Sequence, residues 1–437
     1  MSSHKTAYRI LFIMPKPLES LSEVLLAMEP LRGPSMSEIC LKDFGVCENY
    51  GFVLPEPKTE LPDYYKPWME IATNLTELIE SHQLRVQVNK MPLLSTQYLQ
   101  GHRAMRLAHL SLGFITMGYV WQEGESQPAK TLPSNLAVPY YKISVQLGLP
   151  PILVYADGVL ANWRKKDPNG SMEIQNLETI FTFPGGQSTS GFLLVSLMVE
   201  KAAAIGIKGV ANAINAMLTN DTDMLQGAFQ DITSSLNDMV EAFKQMHDNV
   251  HNRTFYGVVR LYFSGWKDNP LMPDGLIYEG VSKEPIYLSG GSAAQSSTVQ
   301  CFDQLLGIRP TCENAASFLQ RMRDYMLPKH QNLLEAIASY PSIRHYVASS
   351  GSEELCQAYN TCVTALVELR NYHLNTVAKY ITIPANDQPL ARGCIFQRGT
   401  GGTPLMSFLK NVRDSTRKAI IGRGVDETQS FAWYSTL

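Results

Sequence analysis

Apolar positions three and four residues apart dominate the second half of the chain. The longest such run places Leu355, Tyr359, Cys362, Leu366, Leu369, His373 and Val377 on one face of a helix expected from about Glu353 to Ile381. The same period appears in GFLLVSLMVEKAAA (191–204), DMLQGAFQDITSSLNDMVEAFKQMH (223–247), RTFYGVVRLYFSGW (253–266), SSTVQCFDQLLG (296–307) and ASFLQRMRDYM (316–326). The first half mixes helical stretches with punctuation: Pro62–Ser81 and His102–Met117 read as helices, Glu123–Pro139 as a loop, and Pro150–Pro151 introduces the apolar ILVYADGVLANW. The fold class is therefore mainly α. PGGQSTSG (184–191) has linker composition and divides the chain into a small N-terminal domain, 1–183, with minor β, and a large all-helical domain, 184–437. No internal repeat or sustained heptad is present, which removes solenoids and coiled coils.

Length supports two domains, since 437 residues exceed what one core usually organises. Charged residues make up 18% and the formal net charge is −3, which gives no electrostatic footprint for nucleic acid or acidic membranes. The apolar run Ile10–Met14 ends at Pro15, too short for a signal h-region or a membrane span, so a soluble cytoplasmic protein is expected. Seven cysteines without a Cys-x-x-Cys pair point to reduced thiols.

Against this background His373 stands out. A histidine on an apolar stripe must satisfy its ring nitrogens, either on a metal or haem iron or as a core histidine bonded to a backbone carbonyl. Other chemistry is weaker. His247 and His251 form HDNVH, close to the zinc-binding His-Glu-x-x-His, but with aspartate for glutamate and asparagines that end a helix. His330, after Pro328, reads as a packing residue. The glycine-rich stretches 290–297 (GGSAAQSS) and 399–403 (GTGGT) lack the ending of a Walker loop, although they permit close backbone approach to a flat ligand. There is no Gly-x-Ser-x-Gly elbow and no acid/base carboxylate pair.

Several separated blocks, in order, resemble one family: LGLPPILVYADGVLANW (147–163), GFLLVSLMVEKAAA, VVRLYFSGWKDNP (258–270), GGSAAQSS, CFDQLLGI (301–308), LRNYHL (369–374) and RGTGGT (398–403). They are similar to the indoleamine 2,3-dioxygenases from about Glu48 to Arg417, with GYVWQEGESQPA, FPGG and GWKDNPLMPDGL closer to the second vertebrate paralogue. The resemblance implies haem b held by His373 as proximal ligand, O2 as co-substrate, and cleavage of L-tryptophan or related indoleamines to N-formylkynurenine, the first step of the kynurenine pathway. It also implies an electron donor for the haem. Carried over position by position, Ser196, Phe255 and Arg260 resemble the catalytic set, Arg260 being the carboxylate clamp. Tyr155, Gly158, Val159, Phe192, Leu193, Phe263, Ser292, Ala293 and Thr403 resemble the substrate wall. Gly291, Ser292, Asp303 and Arg370 would accompany His373 around the haem, with Asp303–Arg370 a charged pair beneath it or an ordinary interhelical ion pair.

Departures bear on the degree of activity. Gly158 replaces a cysteine of the better-known paralogue, Leu193 a phenylalanine and Phe263 a leucine, so weak substrate affinity is expected. The segment after Pro384 reads as a lid that orders on binding. A monomer is expected. Tyr140 in VPYYKI and Tyr278 in LIYEGV also fit the inhibitory phosphotyrosine pattern read by SH2-domain phosphatases, which keeps a signalling or scaffold role as the alternative.

Overall fold

The computed structural model describes residues 37–387 and 404–422. Its principal helices are α1 His102–Trp121, α2 Ser134–Leu147, α3 Gln187–Ala202, α4 Ala204–Thr219, α5 Thr222–Lys244, α6 Ser297–Leu305, α7 Glu313–Arg323, α8 Pro328–Ser339, α9 Glu353–Val377 and α10 Leu405–Arg417. Strand is confined, among the described residues, to Thr131–Leu132, parallel to Ile277–Tyr278, and Arg164–Lys165, antiparallel to Leu177–Glu178. The mainly α class holds.

Local chemistry explains the boundaries. Asp221 caps α5 by accepting from the Met224 amide at 2.9 Å, and Ser352 does the same for α9 through Leu355. The apolar stripe on α9 is buried at every position from Leu355 to Leu369, and Tyr359 Oη donates to Leu306 O at 2.7 Å. Beyond Val377 the helix widens into a π turn, Ala378–Thr382, which carries Tyr380 inward. The stretch Gln187–Thr219 is long and apolar enough to cross a membrane by length and composition, with mean hydropathy 1.6. That apolarity is spent on packing against α5: a Cβ on Gly209 would lie 3.0 Å from Ala228 O and 2.8 Å from Ile232 Cγ1, so only glycine allows the helices to approach this closely.

Three expectations of local structure are corrected. Pro62–Ser81 is a 3-10 turn, Asp63–Tyr65, followed by two helices, Lys66–Thr73 and Leu75–Glu80, interrupted at Asn74, whose side chain donates to Glu70 O. Helix α2 starts inside the expected loop and contains Pro139. An interior proline costs about 3 kcal/mol, and here the buried stripe Leu136, Tyr140, Ile143 and Leu147 outweighs it. The helix expected over 253–266 is two pieces, Asn252–Gly257 and a 3-10 turn Val259–Phe263, broken where Val258 takes φ −127° and ψ −60°. Both motif tyrosines, Tyr140 and Tyr278, are 0% exposed, and Tyr278 Oη donates to Pro151 O at 2.6 Å.

Segments before and after residue 184 interlock through directed bonds. Trp121 Nε1 donates to Ser264 O at 2.9 Å, and the Ile39 amide donates to Asn215 Oδ1 at 2.8 Å. Beneath the short helix Tyr155–Gly158 lies a buried polar network. His109 bridges Asp157 and Ser144, with Nδ1 2.7 Å from Asp157 Oδ2 and Nε2 3.0 Å from Ser144 Oγ; Arg106 donates to Ala156 O and places Nε 4.0 Å from Asp157 Oδ1. The arrangement has the order of a Ser-His-Asp triad, but it lies outside the lining of the main cavity and serves to fix the 155–158 turn.

Removing Asp157 leaves Arg106 as a buried cation without its counter-charge. Asp157→Ala is expected to cost about 3–5 kcal/mol of stability in urea unfolding followed by circular dichroism; a loss below about 1 kcal/mol would show that the network contributes little. His330 packs edge-on against Phe52 at 4.7 Å, and burial, reinforced by Arg106 and His102, pushes its pKa down from 6.5 to about 3. The unfolded chain therefore binds a proton between these values that the folded chain refuses. Stability should be complete above pH 6.5 and decline on acidification toward 3, and His330→Leu should flatten that slope if the buried imidazole is its source.

Candidate functional site

A cavity of about 300 Å³ lies among α3, the 252–263 segment, the 290–296 segment, α9 and the π turn, with α7 and α10 at its far end. Its wall is aromatic. Phe192 lies 4.9 Å from Phe255 and 5.6 Å from Phe263, ring centre to ring centre, and Phe255 meets Tyr380 edge-on at 6.0 Å. The break at Val258 is what turns Phe255, Arg260 and Phe263 toward one space.

Polar groups in the cavity are few. Ser196, one turn after Phe192, donates its hydroxyl to Phe192 O at 2.8 Å, which leaves its oxygen as an acceptor toward the cavity. Arg260 is 4% exposed, with its guanidinium 5.6 Å from the centre of the Tyr256 ring. Burial pulls its pKa down to about 10, so it stays cationic at neutral pH. Arg370 Nη2 donates to both Asp303 oxygens, at 2.6 and 2.8 Å, and Arg370 Nη1 donates to Val412 O and Thr416 Oγ1 of α10. The glycine-rich 290–297 stretch is not a phosphate cradle. Ser292 caps a short 3-10 turn by accepting from the Ala294 amide at 3.2 Å, and a Cβ on Gly265 would lie 2.2 Å from Gly290 N, so close backbone contact fixes this segment against the cavity.

His373 faces the same space from α9, 5.7 Å from the Phe243 ring. Burial, with Arg370 nearby, lowers its pKa to about 4, so the ring is neutral at physiological pH. Among the described residues neither ring nitrogen has a hydrogen bond, which favours the ligand reading over a core histidine held by a carbonyl. A neutral imidazole opening into an aromatic cavity is a metal-ligand donor. No group of three or more His, Cys, Asp or Glu that could hold a bare ion occurs among the described residues. The donor set thus suits an iron whose other ligands come from a flat macrocycle.

The structure gathers most sequence-predicted residues here: Tyr155, Phe192, Ser196, Phe255, Arg260, Phe263, Gly291, Ser292, Ala293, Asp303, Arg370 and His373 all line the cavity. Gly158, Val159 and Leu193 are buried but lie outside the lining; a Cβ on Gly158 would rest 3.7 Å from Leu193 Cδ2, so these two positions pack on each other behind the wall. Thr403, Cys394, the 399–403 glycine stretch and the expected lid over 388–403 lie outside the described residues. His247 and His251 do not converge: the helix Met246–Asn249 ends between them, His247 meets Tyr380 and Lys379, and His251 meets Thr254. Sequence reasoning missed Glu200, Phe243 and Tyr380. Glu200 was detectable as a lone carboxylate one turn beyond Ser196; Tyr380 depends on the π turn, which leaves no sequence period to read.

A mainly helical chain with a neutral imidazole facing an aromatic cavity fits a haem protein. Residues 40–419 match the profile of the indoleamine 2,3-dioxygenases, and the chain belongs to this family of haem-dependent dioxygenases that use O2. Indoleamine 2,3-dioxygenase 2 of Homo sapiens is 53% identical over 90% of this chain and 99% of its own length, and indoleamine 2,3-dioxygenase 1 of Rattus norvegicus is 49% identical over 87% and 96%. A protein named myoglobin from Haliotis madaka is 39% identical over 88% of this chain and 99% of its own.

His373→Ala should keep the helical circular dichroism and lose the histidine-type absorption of the ferrous–CO form after reconstitution. A mutant retaining that spectrum would place the ligand elsewhere.

Proposed function

We propose that the chain inserts both atoms of O2 across the C2–C3 bond of the indole of L-tryptophan, giving N-formyl-L-kynurenine and opening the kynurenine pathway. The observation that carries this reading is the meeting of a ligand-ready neutral imidazole and a buried guanidinium in one aromatic cavity. His373 would hold the haem, with Gly291 and Ser292 close to it and the Asp303–Arg370 pair holding α9 to α6 and α10. When bound, the haem supplies ferrous iron to bind and activate O2, and an electron donor keeps it reduced.

The chain's own contribution is orientation and exclusion of water. Phe192, Phe255 and Phe263 offer faces and edges against which an indole stacks. Arg260 takes the substrate carboxylate in a dry setting, where a charge-assisted bond contributes on the order of 1.5–3 kcal/mol and selects amino acids over bare indole. Ser196, its proton already given to Phe192 O, suits acceptance from the indole N–H rather than donation. Thr403 is assigned the closing hydroxyl by family resemblance alone.

Residues 1–183 are read as a small domain closing on 184–437, supported by Tyr155 being the one described residue before 184 that lines the cavity. The crowding by Phe263 supports weak substrate affinity; the packed Gly158–Leu193 contact gives it no support. Cytoplasmic location and a monomeric state complete the reading. Signalling through Tyr140 and Tyr278 is not favoured: with both side chains 0% exposed, neither hydroxyl reaches a kinase or an SH2 domain without local unfolding. A relative named myoglobin makes turnover, not haem binding, the deciding assay.

Arg260→Ala should raise KM for L-tryptophan by roughly 10- to 100-fold with the ferrous–CO spectrum nearly unchanged. An unchanged KM would remove the clamp.

A further inference from the structure

One polar cluster on the cavity wall has no part in the reaction just described. Glu200 lies one turn beyond Ser196 on α3, is 3% exposed and lines the cavity. Its carboxylate collects three hydroxyl donors: Tyr155 Oη at 3.0 Å and Ser296 Oγ at 2.6 Å on Oε1, and Thr298 Oγ1 at 2.6 Å on Oε2. A second tie runs parallel to it. The Tyr155 amide donates to Gln295 Oε1 at 2.9 Å, and Gln295 Nε2 donates to Gly290 O at 2.9 Å.

Three segments distant in sequence therefore meet on one carboxylate: the Tyr155–Gly158 turn, α3, and the stretch that presents Gly291, Ser292 and Ala293 to the cavity before entering α6. A buried carboxylate is costly unless its lone pairs are met, and three charge-assisted bonds meet them in a fixed geometry. An apolar residue at position 200 would fill the same space at lower cost while leaving Tyr155 and the 290–296 backbone free to shift independently. The cavity is lined by both.

We propose that Glu200 is a positioning residue for the dioxygenase reaction, acting through Tyr155 and Ser296 to hold the wall formed by Tyr155 and the 291–294 backbone at a fixed separation from α3. The proposal rests on the dioxygenase reading. The residue does not exchange protons with substrate; it sets where the substrate rests.

The test uses the haem-reconstituted full chain, with Glu200→Gln, Tyr155→Phe and Ser296→Ala. Expected is a rise in KM for L-tryptophan of roughly 5- to 20-fold with kcat changed less than about threefold, the ferrous–CO spectrum unchanged, and faster hydrogen exchange in 153–160 and 289–298 together. The exchange measurement needs no turnover, so it decides the coupling even if the wild-type chain forms no product, which would count against the dioxygenase reading alone. Wild-type KM in Tyr155→Phe, faster exchange in only one of the two segments, or equal losses in kcat and kcat/KM would each overturn the assignment. If Glu200→Gln fails to fold, Tyr155→Phe, which keeps the ring and removes one bond, carries the test.

Discussion

A helical core built around a ligand-sized space of about 300 Å³ cannot brace its facing walls by direct packing across that space. Its walls must therefore be stiff enough not to collapse inward. Two devices supply that stiffness here. Rigid rings brace one another around the opening, with Phe192 against both Phe255 and Phe263, and Phe255 against Tyr380. Buried carboxylates then bolt separate elements at fixed distances: Asp157 beneath the 155–158 turn, Glu200 between that turn and the 290–298 stretch, and Asp303 between α6 and α9. Glu200 and Asp303 have both carboxylate oxygens met by donors, while Asp157 has one oxygen bonded to His109 and the other facing the Arg106 guanidinium at 4.0 Å; such pairing is the condition under which a buried charge rigidifies without breaking the core.

How much of this was legible in the sequence depends on whether a feature is periodic. The α9 stripe was readable because its residues repeat at 3.6, and His373 was conspicuous because it is the polar member of an apolar row. Helix α2 was hidden by Pro139, although its stripe of Leu136, Tyr140, Ile143 and Leu147 was present all along. The 253–266 segment differs from its helical expectation for the opposite reason. Its composition is continuous and helical in period, while a single residue, Val258, takes a conformation that composition does not encode.

The candidate site divides along the same line. Residues with a family match came together in the cavity, but Gly158, Val159 and Leu193 did not reach its surface, because resemblance transfers a position and not the direction in which it points. The polar bolts were invisible for a further reason. His109 and Asp157, or Glu200 and Ser296, are ordinary residues until tertiary structure pairs them across 48 and 96 positions. Nothing local marks such a pair.

The distribution of charge carries the functional logic one step further. Asp157, Glu200 and Asp303 are occupied by partners within the protein, and Arg370 is committed to Asp303 and α10. Arg260 is a buried cation, still protonated with its pKa lowered to about 10, and it lines a cavity whose other walls are largely aromatic. A site built this way discriminates by charge at one end and by shape everywhere else. In the proposed reading an anionic group meets Arg260 and a flat ring meets the phenylalanine faces. Ser196, its proton committed to the backbone, offers only lone pairs to that ring. An indole amino acid carries the three complementary features together: a carboxylate, a flat aromatic surface and a ring N–H donor. Bare indole lacks the first, and a phenyl amino acid lacks the third, so each gives up one directed interaction that a dry cavity cannot replace with water.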